Sequence, residues 1–435
     1  MRSIKVGLIG FGTVGSGVVK ILSQIQPIIE KKLGASIKLV KISDLDIKSD
    51  RGVPVAPNVL TLDTEEVLGH PGIDIILELV GGLEPARTFI LKAMNKGKHV
   101  VTANKALLAK YGDELFTVAE ECNVGFGYEA SVAGCIPIIR SIRESYVATN
   151  INSIMGIVNG TANFILTKMT DEGSEFDDVL REAQEKGYAE ADPTFDIEGI
   201  DTAHKIAILT RLVYGTPVNF DDIYIQGITN ITQEDIQCAQ EFGYRIKLLA
   251  ISKLNGESVE VRVHPAMIPL KHSLASVDGV LNAVRVDDEI MGEGILIGHG
   301  AGSLPTASAV LGDVVEIARN IISGSTASRI PPQSYLKSGQ SSVPIKNINE
   351  IESEYFLRFN VHDQPGVLSV ISGILGQHSI GIKSVIQRER NLNGEGVPLV
   401  LMTHMANEKK IQDALLKINQ QAIVCQKSVL IRCEK

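Results

Sequence analysis

The stretch "DIEGIDTAHK", residues 196–205, sets three carboxylates and a single lysine at the head of IAILTRLV, a run with the composition of a buried helix. Asp201 and Lys205 stand four residues apart, one helical turn. That order suits a solvent-facing ion pair, which contributes roughly 0.2–0.5 kcal/mol. The residues just upstream, "GYAEADPTFD", add Glu190, Asp192 and Asp196 in a segment shaped by Gly187 and Pro193. Some of this acid favours a helix N-terminus. The same collection also suits a zwitterionic ligand, with carboxylates around its ammonium and the lysine facing one of its oxygens.

A second motif lies near the start. "GLIGFGTVGSGVVKIL" carries Gly10-Phe11-Gly12-Thr13-Val14-Gly15 directly after a strand pattern and at the mouth of a helix. In that context it reads as a dinucleotide fingerprint, with Gly10 for the tight turn, Gly12 for approach of a pyrophosphate and Gly15 for packing helix on strand. A tight βα turn without a ligand is the competing reading. Asp44, in "KISDLDIKSDR", is the residue for the ribose 2′-hydroxyl of NAD, while Lys48 and Arg51 are close enough in sequence to receive the 2′-phosphate of NADP. "VVTANKALLA" ends a further strand at Thr102 and places Asn104 and Lys105 where sheet loops meet ligands. Lys105 is either a solvated helix-start residue or, with Lys205, half of a catalytic pair.

These residues need elements to carry them. The first 130 or so positions alternate β-branched runs with helical patterns, the rhythm of a parallel sheet covered on both faces. The fold class expected is α/β, with a Rossmann-type doubly wound sheet over 1–150, onto which 311–330 packs back. A mixed α+β substrate domain follows over 151–310. Residues 331–353, within a Ser-, Pro- and Asn-rich stretch, read as a linker. Residues 354–435 follow the order β-α-β-β-α-β, a ferredoxin-like unit.

At 435 residues the chain is too long for one core. Its 44% hydrophobic and 21% charged residues are those of a soluble globular protein, and a net charge of -9 without a basic run argues against nucleic acid as a partner. No run of 18 apolar residues exists, and "IKVGLIG" is too short and glycine-punctuated for a signal segment, so no membrane association is expected. Five scattered cysteines form no metal-ligand spacing, and reduced thiols in the cytoplasm are the expectation.

The segments "GFGTVGSG", "TANKALLA", "EASVAGCIPII", "VNGTANFIL", "GYAEADPTFDIEGIDTAHK", "VRVHPAMIP" and "HGAGSLPTASAV", in this order, resemble homoserine dehydrogenase over residues 1 to about 330. "DQPGVLSVISGILGQHSIGI" resembles an ACT domain, as on the monofunctional form of that enzyme, with no aspartate kinase segment ahead of it. The resemblance implies interconversion of L-aspartate 4-semialdehyde and L-homoserine with NAD or NADP, toward threonine, methionine and isoleucine. It implies Lys205 as proton donor, Asp201, Glu190 and Asp196 as substrate acids, Lys105 as a cofactor and active-site lysine, and Gly302 as a cofactor contact. Glu129, Val132, Gly134 and Ile136 match a loop for a monovalent cation, sodium or potassium, with Cys135 where a glycine is common. Asp363 and Gly366 would lie near an effector amino acid, threonine, and a homodimer or homotetramer is expected. A tail that only dimerises is the alternative.

The chemistry is also readable without the family. Reducing a substrate that carries an ammonium, a carboxylate and an aldehyde needs anions for the first, a donor for the second and an acid facing the third, and the opening stretch supplies acids and a lysine together. Another amino-acid or semialdehyde dehydrogenase, or a non-enzymatic sensor of NAD and an amino acid, are the competing functions.

Overall fold

The computed structural model describes residues 2–325, 330–340, 342–387 and 396–435; residues 326–329 of the segment expected to pack back, Ser341 of the expected linker, and Arg388 and Glu389 of the strand pattern "IKSVIQRE" lie outside the described residues. The chain forms two compact units, each discontinuous in sequence. The first comprises Met1–Gly160, Asp201–Ile223 and Val280–Val343; the second comprises Thr161–Ile200, Tyr224–Gly279 and Pro344–Lys435.

The first unit opens with β1 (Ser3–Ile9), α1 (Thr13–Leu33), β2 (Ser36–Ser43), β3 (Leu60–Thr61), α2 (Thr64–Leu68) and β4 (Ile75–Glu78). There follow α3 (Ala86–Asn95), β5 (His99–Thr102), α4 (Lys105–Glu121), β6 (Phe126–Gly127), the single turn α5 (Ile138–Arg140) and β7 (Ile151–Ile157). Strands β1 to β6 make one parallel sheet in the order β3-β2-β1-β4-β5-β6. Its strand order reverses between β1 and β4, so a crevice opens at their carboxyl ends, where doubly wound sheets hold ligands. Helix α1 ends where Gly34 turns left-handed and its N–H caps the Glu30 carbonyl, with Lys31 and Lys32 on the negative end of the helix.

The chain then runs through α6 (Gly160–Glu172), α7 (Phe176–Glu185) and α8 (Thr194–Ile197), and α9 (Ile200–Tyr214) brings it back to the first unit. Every residue of α9 from Ile206 to Tyr214 is buried, as expected of a helix apolar on all sides. In the second unit come β8 (Tyr224–Ile225), α10 (Gln233–Glu241), β9 (Tyr244–Asn255) and β10 (Ser258–Pro269). The first unit regains the chain with β11 (Leu281–Asp288), β12 (Gly292–His299) and α11 (Ser303–Ile322). There β12, β11 and β7 pair antiparallel. Helix α11 lays Ala307, Val310, Leu311 and Val314 into one core with Val18 and Leu22 of α1. The approach is close enough that a Cβ at Gly17 would stand 2.7 Å from the Ser303 carbonyl oxygen, so only glycine fits.

The tail of the second unit runs β13 (Glu352–Val361), α12 (Val367–Gln377), β14 (Ile382–Gln387), β15 (Val397–Thr403), β16 (Ala406–Asn407), α13 (Glu408–Asn419) and β17 (Val424–Cys433). Apart from the two-residue β16, this is the β-α-β-β-α-β order, with β13 between β17 and β15 and with β14 beyond β15. Strand β17 also pairs in parallel with β10, which pairs antiparallel with β9. Among the described residues no helix is long and apolar enough to cross a membrane.

Candidate active site

Strand β1 delivers the chain to Gly10, whose φ of +99° and position 2.6 Å, measured from a virtual Cβ, from the Leu79 carbonyl carbon exclude other residues. A Cβ on Gly15 would collide with the Gly10 carbonyl oxygen, whereas one on Gly12 would meet nothing within 4 Å. The loop therefore packs at Gly10 and Gly15 and stays open at Gly12. Helix α1 starts at Thr13 and Val14 with no acid in its first turn and no side chain on its cap, leaving the positive end of its dipole for an anion. Asp44, just past β2, accepts the Phe11 N–H at 2.5 Å and the Asp46 N–H at 2.8 Å, which ties it to the glycine loop. Arg51 lies 3.9 Å from Asp44 and 3.2 Å from Asp46. Gly302 is the N-cap of α11, and the next residue, Ser303, donates its hydroxyl to the Thr13 carbonyl at 2.7 Å. Open backbone, a bare helix terminus and a neighbouring acid are the features a pyrophosphate and ribose require.

The two lysines singled out by sequence meet on one carboxylate. Lys205 Nζ lies 2.7 Å from Asp201 Oδ2 and donates to the Val158 carbonyl at 2.5 Å. Lys105 Nζ lies 2.8 Å from Asp201 Oδ1, and Asn159 donates its amide to Asp201 Oδ2 at 2.8 Å. Side-chain exposure is 7% for Asp201 and 10% for Lys205, against 42% for Lys105. That burial excludes the solvated-pair reading of Asp201 and Lys205. Burial pushes the Asp201 carboxyl up, but the charges of Lys205 and then Lys105 outweigh it and hold its pKa well below the usual carboxylate range. Burial pulls the neighbouring His204 below its usual value, so its ring is neutral at physiological pH. Sequence reasoning missed Asn159 as a partner of Asp201; the only signal was an amide just ahead of Gly160 in "VNGTANF", in the link between β7 and α6, 42 residues away.

A dinucleotide loop and a buried carboxylate held by two lysines in the same unit are the parts of a hydride-transfer enzyme, and comparison with known proteins gives the same result. Residues 10–129 match the model for the homoserine dehydrogenase NAD-binding domain and residues 137–315 the homoserine dehydrogenase model. A homoserine dehydrogenase of Neisseria gonorrhoeae is 44% identical, over 100% of this chain and 99% of its own. The chain belongs to the homoserine dehydrogenase family. The crystal structure of a homoserine dehydrogenase from Thiobacillus denitrificans superposes with a TM-score of 0.94 at 43% identity, over 100% of this chain and 99% of its own. A hyperthermophilic archaeal homoserine dehydrogenase in complex with NADPH has a TM-score of 0.62 at 30% identity, over 72% of this chain and 97% of its own. The activity is that of an oxidoreductase acting on CH–OH in amino-acid biosynthesis, on a small-molecule substrate.

Of the other positions predicted from sequence, Glu129, Val132, Gly134 and Ile136 belong to the first unit and Glu190, Asp196, Asp363 and Gly366 to the second. Glu129 is buried, and its two carboxylate oxygens accept the N–H groups of Ile139 and Arg140 at 2.9 and 2.8 Å, capping α5. Val132 is extended, and Ala133 and Gly134 then take left-handed conformations in succession. Ile136 closes the turn by donating to the Ala133 carbonyl at 3.0 Å. Among the described residues no three His, Cys, Asp or Glu side chains converge on one metal position. Behind the loop, Asp313 accepts the Glu129 N–H at 2.8 Å. Burial pushes Glu129 up to about 7, and burial together with the Glu129 charge pushes Asp313 up to about 8.

In the second unit, Asp196 lies in α8, and the Glu190 carbonyl accepts from Gln184 at 3.2 Å. Asp363 and Gly366 line the same cavity of about 350 Å³, with Gly366 at the N-cap of α12.

Proposed function

We propose that the chain reduces L-aspartate 4-semialdehyde to L-homoserine reversibly, with Lys205 as the proton donor; the observation that carries this reading is the sharing of Asp201 by Lys205 and Lys105. Asp201 touches both amines and fixes them in one place. When bound, the dinucleotide supplies hydride to the aldehyde carbon or accepts it back. As negative charge grows on the aldehyde oxygen, the two ammonium groups stabilise it, and Lys205 Nζ transfers a proton to that oxygen. In the oxidative direction an unprotonated lysine must take the proton, which is why homoserine oxidation should quicken in alkaline buffer. Asp201 is read as a substrate acid by resemblance, and Glu190 and Asp196 are proposed as further substrate acids on the sequence motif alone.

Gly10 to Gly15 and Gly302 are the proposed dinucleotide contacts, with Asp44 at the ribose. Both NAD and NADP are proposed, since Arg51 stands beside Asp44 and an archaeal relative is described with NADPH. A sodium or potassium ion is proposed on backbone oxygens of Val132, Gly134 and Ile136 with Glu129. The βαββαβ tail is proposed as an ACT domain that takes threonine at Asp363 and Gly366, in a cytoplasmic homodimer or homotetramer. The proposed domain limits are those of the sequence, 1–150, 151–310 and 354–435.

The test of the catalytic assignment is loss of reduced-nicotinamide absorbance on adding aspartate semialdehyde, with NADH and NADPH in turn, in the wild type and in Lys205→Ala. Turnover should fall by about 100-fold or more in the variant while dinucleotide affinity is kept. Near-normal turnover would remove Lys205 from the role. Calorimetry with threonine on the full chain tests the tail, and no heat at millimolar ligand favours a module that only dimerises.

A further inference from the structure

One buried carboxylate of the first unit has no place in the assignments above. Glu78, the last residue of β4, is fully buried. Its Oε1 accepts the N–H groups of Val80 at 3.0 Å and Gly81 at 3.3 Å, and its Oε2 accepts the Thr102 hydroxyl at 2.7 Å. The Thr102 oxygen in turn accepts the Asn104 N–H at 3.0 Å. Asn104 donates its amide to the Gly82 carbonyl at 2.6 Å and accepts the Leu107 N–H at 3.1 Å, capping α4. The next residue is Lys105, the first of that helix, whose ammonium contacts Asp201.

Placing a carboxylate at a dry strand end is costly unless it is well bonded, and a leucine there would carry no such cost. The groups that bond Glu78, the Val80 and Gly81 N–H, the Thr102 hydroxyl and the Asn104 side chain, are all neutral, and all lie at the carboxyl end of β4 or β5, where such sheets hold ligands. We infer that Glu78 is a positioning residue, which acts through Thr102 and Asn104 to fix the start of α4 and so hold Lys105 against Asp201. Thr102 is the link that matters, because its hydroxyl donates to Glu78 while its oxygen accepts from Asn104. A valine can do neither. The inference rests on the reading that Lys105 takes part in the reaction.

A double-mutant cycle in the full chain tests it, with kcat and dinucleotide KM measured for Thr102→Val, Thr102→Ser, Lys105→Met and Thr102→Val combined with Lys105→Met. Misplacing a catalytic group by about 1 Å can cost up to about 100-fold, so Thr102→Val should lower kcat by roughly 10-fold or more. Dinucleotide KM should move no further than it does in Lys105→Met. Thr102→Ser should restore kcat to within about twofold of wild type, since it keeps both bonds. In the Lys105→Met background the valine should cost less than about twofold, because an absent amine cannot be misplaced. An equal loss of kcat with and without Lys105, or no loss at all, overturns the inference and leaves the Lys105 reading standing. Normal turnover in Lys105→Met alone overturns both. Should Thr102→Val fail to fold, Glu78→Gln replaces it in the same cycle, since the amide keeps an acceptor for Val80 and Gly81 but presents N–H to Thr102; the same non-additivity is expected, and additivity is again refuting.

Discussion

Replacing Asp201 by asparagine removes one charge from a group of three. At an effective dielectric of about 20, contacts of 2.7 and 2.8 Å each carry roughly 6 kcal/mol of gross attraction. The Lys105 share is strongly discounted, because that side chain is 42% exposed and water screens it. The Lys205 share is offset mainly by desolvation, and breaking a buried pair while leaving its partner in place typically costs about 3–5 kcal/mol. Asp201→Asn should therefore lower the urea midpoint clearly, with turnover falling by about 100-fold or more. Adding Lys205→Met to it should recover part of the lost stability, since the buried ammonium is then gone and the Lys105 amine that remains is exposed to water.

The pH dependence follows from the depressed pKa of Asp201. Its contribution is complete above the ordinary carboxylate range and is lost as pH falls through the depressed value. The gap between wild type and Asp201→Asn should accordingly be level around neutral pH and close in strong acid. Denaturation curves at a series of pH values read all of this. An unchanged midpoint in the single variant, or a double variant weaker than the single, would refute the view that Asp201 is the shared counter-charge.

Gly12→Ala should fold with a wild-type melting temperature, because nothing lies within 4 Å of the new Cβ, yet bind NADH and NADPH more weakly in a thermal-shift titration; unchanged binding would move the pyrophosphate elsewhere. Gly15→Ala should by contrast lose stability even without ligand, through the clash with the Gly10 carbonyl. Glu129 and Asp313 titrate above their unfolded values, so the native state holds extra protons and their contribution to stability falls as pH rises through about 7 and 8. Asp313→Asn should flatten melting temperature against pH over that interval, and an unchanged slope would count against the raised pair. Glu434 is buried and accepts Arg262 at 2.6 Å and Lys253 at 2.5 Å, so Glu434→Gln should destabilise the second unit by roughly 3–5 kcal/mol, measured by hydrogen exchange on β10 and β17.

The elements with a local signature were the ones legible in the sequence. The glycine loop declares itself because Gly10 must take a positive φ and Gly15 must admit a carbonyl, constraints set within a few residues. Asp201 and Lys205 were visible because helical spacing puts residues four apart on one face. That Lys105 would come to the same carboxylate was only conceivable, since 96 residues separate them and no local rule fixes which strand end faces which helix. Glu78 was overlooked inside "ILELVGG", where a lone acid in an apolar strand reads as an exception until its loop partners are known. The Ser- and Pro-rich stretch also hides its contacts. Tyr335 donates to the Val213 carbonyl at 2.7 Å, and Tyr128 donates to the Pro332 carbonyl, pairings that composition does not announce.

Gly17 lies against Ser303, and the apolar face of α1 has α11 as its cover. During synthesis this face waits for nearly 300 further residues before its partner leaves the ribosome. Contacts so distant in sequence form slowly and leave greasy surface open to misassociation meanwhile. A fragment ending at residue 150 would carry that face permanently bare, and recombinant production of the nucleotide-binding segment alone should yield inclusion bodies unless α11 is supplied in trans.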